Sequence, residues 1–255
     1  MLNKLKSALL IALLATAVHA EEKGATVTGD RVDADRILFE AEAFRGAGMP
    51  GISMKVRIES FNGDEIDAQE MDVNASSGNS LIEFTAPAKL KGRKILMQGR
   101  NMWFISPDLR KPVPISPRQR LMGDASNGDI ASTDYASDYG ATFIRSDVYK
   151  GEKCHVLELK SKTSDATYDK IEYWISSASS KGVKADFFAV SGKLFKSADF
   201  EYENKIEFKQ SKRPFISKMI ITDGINADKK TVIHYAQGES KEISPSTFDL
   251  NSLLR

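Results

Sequence analysis

The sequence predicts a mainly β protein with few helices, built as one large antiparallel sheet that is curled or closed into a barrel. Three observations predict this class. Short segments of alternating apolar and polar residues recur between residues 52 and 235, as in strands with one buried face. Glycine-containing turn pairs separate many of them. Strands do not alternate with long helices, and this argues against a parallel doubly wound fold.

The chain begins with a segment typical of secretion. Two lysines precede an apolar run at residues 9–14, and Val18-His19-Ala20 supplies a small-residue cleavage site. The run is shorter than the roughly 20 residues of a membrane span, and no cysteine follows the cleavage site. We therefore predict a signal peptide at residues 1–20 and a single β-barrel domain at residues 21–255. The mature protein is expected in the periplasm, without a lipid anchor.

Charge and cysteine content limit the possible functions. Cleavage would leave 34 basic against 35 acidic residues, a balance that argues against a nucleic-acid-binding protein. Two basic clusters remain, at residues 89–94 and 209–213. We interpret them as solvated hairpin loops, or alternatively as a docking patch for anionic lipid or an acidic partner. Cys154 is the single cysteine, so stability must come from a core and not from an internal disulfide.

The first element after the signal is a predicted helix at residues 34–45, where apolar residues recur at spacings of three and four. After Pro50 the period changes to two. The apolar positions of this first strand are Ile52, Met54, Val56 and Ile58. Further strands are predicted at residues 66–73, 80–85, 93–99, 102–106, 141–149, 153–160, 168–175, 183–190, 194–200, 205–209, 215–222 and 230–235. The tail, residues 243–254, is apolar enough to fold back onto the barrel rim.

One stretch interrupts the strands. The aromatic strand at residues 102–106 is followed by four prolines, the last at Pro117, and then by a polar segment at residues 116–138 that carries four aspartates. Prolines carry the chain off a sheet because they donate no ladder hydrogen bond. The polar segment is our candidate for a mobile lid.

The residues show no catalytic or metal-binding constellation. Neither the spacings of zinc ligands nor a nucleophile elbow nor a phosphate loop is present. Cys154 and His155 are adjacent on a predicted strand, so their side chains should point to opposite faces. We expect no enzyme activity, no bound metal and no cofactor.

The stretch from Trp103 onward resembles the LolA-like outer-membrane lipoprotein-sorting protein family, in particular the larger uncharacterised branch associated with RND-type exporters. The similarity begins with Asp33-Ala34-Asp35-Arg36-Ile37-Leu38 at the helix start. The elements that follow are the Trp103 strand, Pro107, Arg110-Lys111, Ile115, Arg120-Leu121 and a later Tyr173-Trp174-Ile175 strand. Asn127-Gly128-Asp129-Ile130 stands where the family usually has a Gly-Ser-Asp-aromatic element.

The resemblance implies a strongly curved antiparallel half-barrel, closed by the N-terminal helix and a helical or loop lid. It implies a non-enzymatic periplasmic carrier that binds lipid, or lipoprotein acyl chains, in an apolar cavity and moves them toward the outer membrane. An inner-membrane RND-type exporter is the expected partner, and the protein is expected to be a monomer. The expected cavity residues are Met54, Val56, Ile58, Trp103, Phe104 and Trp174. Arg110 and Arg120 are expected to contact a lipid head group or a partner.

Two other functions remain compatible with the sequence. One is an envelope sensor or interaction module that uses the same lipid-binding fold. The other is a periplasmic hydrolase, for which the sequence singles out no pair of catalytic residues.

Overall fold

The computed structural model describes residues 33–131, 134–226 and 228–254. The signal peptide predicted for residues 1–20 lies outside the described residues. Within them, strands dominate and the helices are few and short, so the predicted mainly β class is confirmed.

The strands are β1 (Ile52–Asn62), β2 (Glu65–Ser76), β3 (Asn79–Ala86), β4 (Lys94–Gln98), β5 (Asn101–Ile105), β6 (Val113–Ile115), β7 (Arg120–Met122), β8 (Ala125–Ser126), β9 (Tyr139–Tyr149), β10 (Glu152–Ser161), β11 (Lys170–Ser176), β12 (Gly182–Phe188), β13 (Leu194–Glu201), β14 (Asn204–Phe208), β15 (Ser211–Phe215), β16 (Lys218–Asp223) and β17 (Lys230–Ser240). The helices are α1 (Ala34–Glu42), α2 (Asn127–Ala131), α3 (Tyr135–Asp138) and α4 (Leu250–Leu253), with a 3-10 turn at Pro245–Phe248.

Thirteen strands form one antiparallel sheet in the order β6-β5-β4-β3-β2-β1-β17-β16-β13-β12-β11-β10-β9. Strands that follow each other in the chain are mostly neighbours in the sheet, as short hairpin connections require. The exception is the pairing of β1 with β17. Two meanders therefore extend from this pair in opposite directions. The strands β7–β8 and β14–β15 form two small separate sheets.

The sheet is open in the described residues, so of the two predicted forms, curled or closed into a barrel, the closed barrel is not found. The edge strands β6 and β9 are not paired with each other in the described residues. Strand β6 is only three residues long and contains Pro114, with Pro112 directly before it. Because proline has no backbone N–H, this edge cannot donate a regular ladder of hydrogen bonds to another strand. The strong curvature of the sheet stays a prediction.

Cross-strand pairing defines two faces of the sheet. Val73, Ile82, Ile95 and Phe104 are aligned across β2 to β5 on the face that we call the inner face. This face carries the large apolar core, to which α1, α2 and α3 also contribute. The opposite face, which we call the outer face, carries the row of Leu81, Leu96 and Trp103.

The C-terminal tail covers part of the outer face. Phe248 is buried against Leu81, Leu96 and Ile105. Gln98 Nε2 also donates a hydrogen bond of 2.7 Å to the carbonyl oxygen of Phe248. The tail does fold back, as its apolar residues predict, and it lies on strands β3 to β5 of the sheet.

The predicted N-terminal helix is present as α1. Its N-cap is Asp33, whose side chain accepts a hydrogen bond of 3.0 Å from the backbone N–H of Arg36. Leu38 and Ala41 are buried in the core on the inner face. The helix packs against β9 and β11, so it covers the part of the sheet that follows the crossing from β6 to β9.

Candidate functional site

A cavity of about 490 Å³ lies on the inner face between β2–β6 and the chain that follows β6. We call it the inner-face cavity. Its apolar wall consists of Phe84, Leu90, Ile95, Phe104, Ile115 and Leu121. Its polar lining residues are Gln69, Arg93, Gln119, Arg120 and Asn127. This volume is within the range of about 300–1,000 Å³ that is usual for small-molecule sites.

Strand alternation explains the apolar wall. Ile95 and Phe104 are directly paired across β4 and β5, and Ile115 is paired with Met102, two residues from Phe104. Residues two apart on a strand share a face. Three adjacent strands therefore present apolar side chains to the same space.

Polar groups lie around this wall. Arg93 Nη2 is 3.4 Å from Asp108 Oδ2, and Arg120 Nη2 is 4.0 Å from Asp124 Oδ1. The Arg120 side chain is 71% exposed. Gln69 Oε1 is buried and has no hydrogen-bond partner among the described residues. The cavity is thus amphipathic, because an apolar wall meets two cations and an unpaired acceptor.

The segment of residues 116–138, which we call the crossing segment, lies across the inner face beside this cavity in its described parts, residues 116–131 and 134–138. Residues 125–131 are all buried. This corrects the expectation of a polar cover, because the middle of the segment is part of the core. Gly123 marks one close approach: a Cβ at this position would be 2.6 Å from Ser60 Oγ and 2.3 Å from Thr231 Oγ1.

A buried ion pair fixes the crossing segment to the sheet. Lys196 Nζ on β13 is 2.7 Å from Asp129 Oδ2 on α2, and each side chain is 1% exposed. Lys196 also donates to the carbonyl oxygen of Asp124 at 2.6 Å. Asp129 accepts two more hydrogen bonds, from Ser126 N at 2.7 Å and from Tyr168 Oη at 2.6 Å. The hydrogen bonds of both side chains offset the free-energy cost of burying the two charges.

The tyrosine of this cluster remains a donor. Burial, together with the nearby Asp129 carboxylate, raises the pKa of Tyr168 well above its ordinary value. The hydroxyl proton is therefore retained at neutral pH, and Tyr168 donates to Asp129.

A second buried pair fixes the end of α1. Arg45 Nη1 is 3.1 Å from Glu42 Oε2, and Glu42 also accepts hydrogen bonds from Tyr135 N at 2.9 Å and Tyr173 Oη at 3.3 Å. Burial raises the pKa of Glu42 above its ordinary value, although the Arg45 guanidinium acts in the opposite direction. Because Tyr135 belongs to α3, this pair connects α1 to the crossing segment.

Only part of the predicted site lies at the cavity. Phe104 lines its wall and Arg120 its polar lining. Met54, Val56 and Ile58 lie on the inner face but are packed within the core, and they do not line this cavity. Arg110 is exposed in the loop between β5 and β6 and has no ion pair within the described part of the chain.

The structure contradicts the expectation that Trp103 and Trp174 belong to the same wall. Trp103 packs on the outer face beside Phe248, because Phe104, the next residue on β5, points inward. Trp174 lies in an outer-face cluster with Cys154 and Val156. Its Nε1 donates to Asp147 Oδ2 at 2.9 Å.

Of the two histidines in the described residues, His155 and His234, neither forms a pair with the cysteine. Cys154 belongs to the outer-face cluster, whereas His155 is paired across strands with Ile175, an inner-face core residue. His234 Nε2 is 3.1 Å from Glu59 Oε2. The described residues contain no group of three metal-ligating side chains. None of their helices is long and apolar enough to cross a bilayer.

The sequence reasoning missed all four buried charges. Asp129 lies in a polar stretch and carries no signal of burial. Glu42 and Arg45 do carry one, because they follow the buried Leu38 by four and seven residues and so continue its face of the helix. Lys196 also carries one, because Ala198 and Phe200 share its face of β13 and belong to the core. A lysine at an apolar position of a strand indicates a buried partner.

The crossing segment is also held at the surface. Arg118 Nη1 and Nη2 each donate at 2.9 Å to the two carboxylate oxygens of Asp169, a bidentate geometry that fixes both side chains. Arg118 also donates to the carbonyl oxygen of Ser164 at 3.1 Å. In the same region, Arg100 of the β4–β5 turn donates to Thr163.

We predict that Arg118→Gln destabilises the protein more at pH 7 than at about pH 2, where only its hydrogen bond to the Ser164 carbonyl oxygen is lost. The Arg118 hydrogen bonds are the main cause that lowers the pKa of Asp169 in the folded state. A carboxyl with a lowered pKa contributes stability above its unfolded pKa of about 3.9, and this stability is lost as the pH falls through the folded value. Urea unfolding of the native protein and of Arg118→Gln at each pH measures the difference in their free energies of unfolding. Arg110→Gln is the control, and an Arg118 effect of equal size at both pH values would contradict the assignment.

Comparison with known proteins gives a family and a fold. A family model described as "Uncharacterized protein" matches residues 76–255. A LolA superfamily protein from Nitrosomonas europaea is 29% identical, with alignment over 86% of this chain and 98% of that chain and a TM-score of 0.77. No curated protein matches the chain.

Two more distant structures share the fold alone. A putative outer membrane lipoprotein-sorting protein domain from Vibrio parahaemolyticus is 20% identical, with 87% of this chain and 98% of that chain covered and a TM-score of 0.73. A DUF1329 family protein from Desulfovibrio piger is 18% identical, with 86% and 97% covered and a TM-score of 0.72. The predicted resemblance to LolA-like proteins is confirmed.

Proposed function

Since this chain belongs to the family whose model matches residues 76–255 and is similar over most of its length to a LolA superfamily protein, we propose that it is a non-enzymatic carrier of lipid or of lipoprotein acyl chains. The observation that carries the proposal is the inner-face cavity, about 490 Å³ of space between apolar strands and the crossing segment. An apolar wall beside cationic side chains suits a molecule with an acyl chain and a polar head.

The free energy available from such a ligand is large. Burial of a methylene gains about 0.8 kcal/mol, so a chain of about 15 methylenes gains on the order of 10 kcal/mol before ordering costs. Phe84, Ile95 and Phe104 would supply the apolar surface, and Arg93 and Arg120 would face the head group. Arg110 is exposed in the loop between β5 and β6. It would contact a partner protein or the lipid head group.

The crossing segment is the gate in this proposal, and its opening would have to separate the Lys196–Asp129 ion pair that fixes its middle to β13. Its residues Gln119, Leu121 and Asn127 line the inner-face cavity. Others, Pro117, Ala131 and Asp134, line a second cavity of about 280 Å³. Movement of the segment away from the sheet would enlarge both spaces, and a carrier needs such a motion to load and release its cargo. The segment and α1 would together close a curved half-barrel.

The route follows from the family resemblance. The carrier would be exported by the predicted signal peptide, act in the periplasm as a monomeric single domain, and move its cargo toward the outer membrane. An inner-membrane RND-type exporter would be its partner. The near-neutral charge of the mature chain is consistent with this role and not with binding to nucleic acid.

Lipid extraction tests the proposal. The mature protein is purified from envelope extracts without detergent, and bound lipid is identified by mass spectrometry. Binding of a fluorescent fatty acid to the delipidated protein is then titrated. We expect co-purified lipid and saturable binding at one site. Absence of both would refute the proposal.

A further inference from the structure

The hairpin β14–β15 is not part of the large sheet. It is inserted between β13 and β16, which are direct neighbours in that sheet. Its base is fixed, because Ile206 and Phe215 are buried in the core. Asn204 Nδ2 also donates to the carbonyl oxygens of Tyr235 at 2.6 Å and Ile216 at 2.8 Å.

The other end of the hairpin is an exposed tight turn. Lys209 and Gln210 are both in the left-handed region, with φ of 49° and 62°, as in the two-residue turns that suit hairpins. Both side chains are exposed. The fixed base therefore presents the tip to solvent in one orientation.

The hairpin is cationic and its cations are unpaired. Between residues 204 and 215 it carries Lys205, Lys209, Lys212 and Arg213, and the single acid Glu207. Within the described residues, no carboxylate forms an ion pair with any of these four cations. By contrast, Lys218 directly after the hairpin is 2.8 Å from Glu201.

An aromatic side chain lies among these charges. Phe208, at the last position of β14, is only partly buried. Lys209 Nζ lies 5.2 Å and Arg213 Cζ 5.6 Å from the centre of its ring. A partly exposed apolar ring flanked by cations combines the two features by which peripheral proteins bind the head-group region of a bilayer, apolar insertion and attraction to anionic lipid.

We propose that the β14–β15 hairpin docks this protein onto a bilayer surface that contains anionic phospholipid. Lys209, Lys212 and Arg213 would contact the lipid phosphates, and Phe208 would insert between head groups. The concave surface beside the hairpin is lined by acids as well as cations, with Glu207 and Glu239 beside Lys212. The exposed turn itself is narrow and convex, and a bilayer surface needs no concave site to receive it. The proposal rests on the hairpin alone and does not require that the inner-face cavity bind lipid.

Vesicle sedimentation tests this docking. The full mature protein is mixed with vesicles of equal parts phosphatidylcholine and phosphatidylglycerol, and with vesicles of phosphatidylcholine only. We expect binding to the anionic vesicles alone, weakened by salt. Each cation near an anionic surface strengthens binding about five-fold. The triple variant Lys209→Gln, Lys212→Gln, Arg213→Gln should therefore bind about a hundred-fold more weakly, and Phe208→Ser should also weaken binding.

A matched control separates local docking from net charge. The variant Lys89→Gln, Lys91→Gln, Lys111→Gln removes three exposed charges elsewhere and should retain most of the binding. Because Ile206 and Phe215 are untouched, circular dichroism should show an unchanged fold in every variant. Equal losses in the two triple variants would overturn the proposal, as would equal binding to neutral vesicles. No vesicle binding at all would also overturn it and would favour an acidic protein partner.

Discussion

Replacement of Lys196 by methionine is expected to lower the free energy of unfolding by about 3–5 kcal/mol, because removal of one partner of a buried ion pair leaves the other charge uncompensated. The Lys196 ammonium is 2.7 Å from Asp129, and both side chains are 1% exposed. The loss also removes the hydrogen bond to the carbonyl oxygen of Asp124. Urea denaturation followed by circular dichroism measures the change.

Two further variants identify the cause of this loss. Lys55→Met removes a lysine from a solvent-exposed pair with Asp72 at 3.2 Å, and such pairs contribute about 1 kcal/mol or less. The double variant Lys196→Met, Asp129→Asn removes both charges and should be more stable than Lys196→Met alone. A double variant that is no more stable than the single one would show that the unpaired carboxylate is not the cause of the loss.

Lys196→Met also tests whether the ion pair holds the crossing segment on the sheet. If the ion pair fixes α2 to β13, the amides of residues 125–131 should exchange hydrogen faster in Lys196→Met than in the native protein. Amides in β1 and β17, at the centre of the sheet, provide the internal reference. Uniform acceleration across the sheet would indicate global destabilisation and not local release of the segment.

The strands could be predicted because their periodicity is local. One face of β1 is apolar at every second residue from Ile52 to Ile58, and the structure buries these four side chains. The helix α1 was equally visible from its 3.6-residue period. Strands β6, β7 and β8 were missed because they are two or three residues long, too short for any period to appear. Strand β15 was missed because its sequence, Ser-Lys-Arg-Pro-Phe, shows no alternation of apolar and polar residues and contains a proline.

The open sheet could not be derived from local pattern. Whether two edge strands pair depends on contacts between residues that are far apart in the chain. The prolines near β6 did carry a signal, because a strand with Pro112 before it and Pro114 within it is confined to an edge. This signal was used to predict a crossing and not to predict an open sheet.

The error about the tryptophans has a simple physical origin. Trp103 and Phe104 are consecutive on one strand, so at most one of them can line the inner-face cavity. The prediction nevertheless placed both at the cavity. Alternation alone would have excluded one of them. The pairing of Phe104 with Ile95, a core residue of the inner face, shows that Phe104 is the one that points inward.

Substitution of Phe104 by aspartate is expected to weaken binding of a fluorescent fatty acid on the order of a hundred-fold. Phe104 lies in the wall of the inner-face cavity, so the new carboxylate would be desolvated by the bound acyl chain, at a cost of several kcal/mol. Phe104 is only partly buried in the ligand-free protein, and the fold should therefore tolerate the change. Fluorescence titration of the delipidated variant gives the dissociation constant.

Two control variants change residues close to Phe104 in the sequence, Trp103 and Leu109. Leu109→Asp adds the same charge at a side chain that is 44% exposed and outside the cavity lining, so its affinity should match that of the native protein. Trp103→Ala alters the neighbouring residue on the outer face and should reduce packing of the Phe248 tail while fatty-acid binding is retained. Binding that is lost in Trp103→Ala and retained in Phe104→Asp would place the ligand on the outer face and refute the assignment of the cavity.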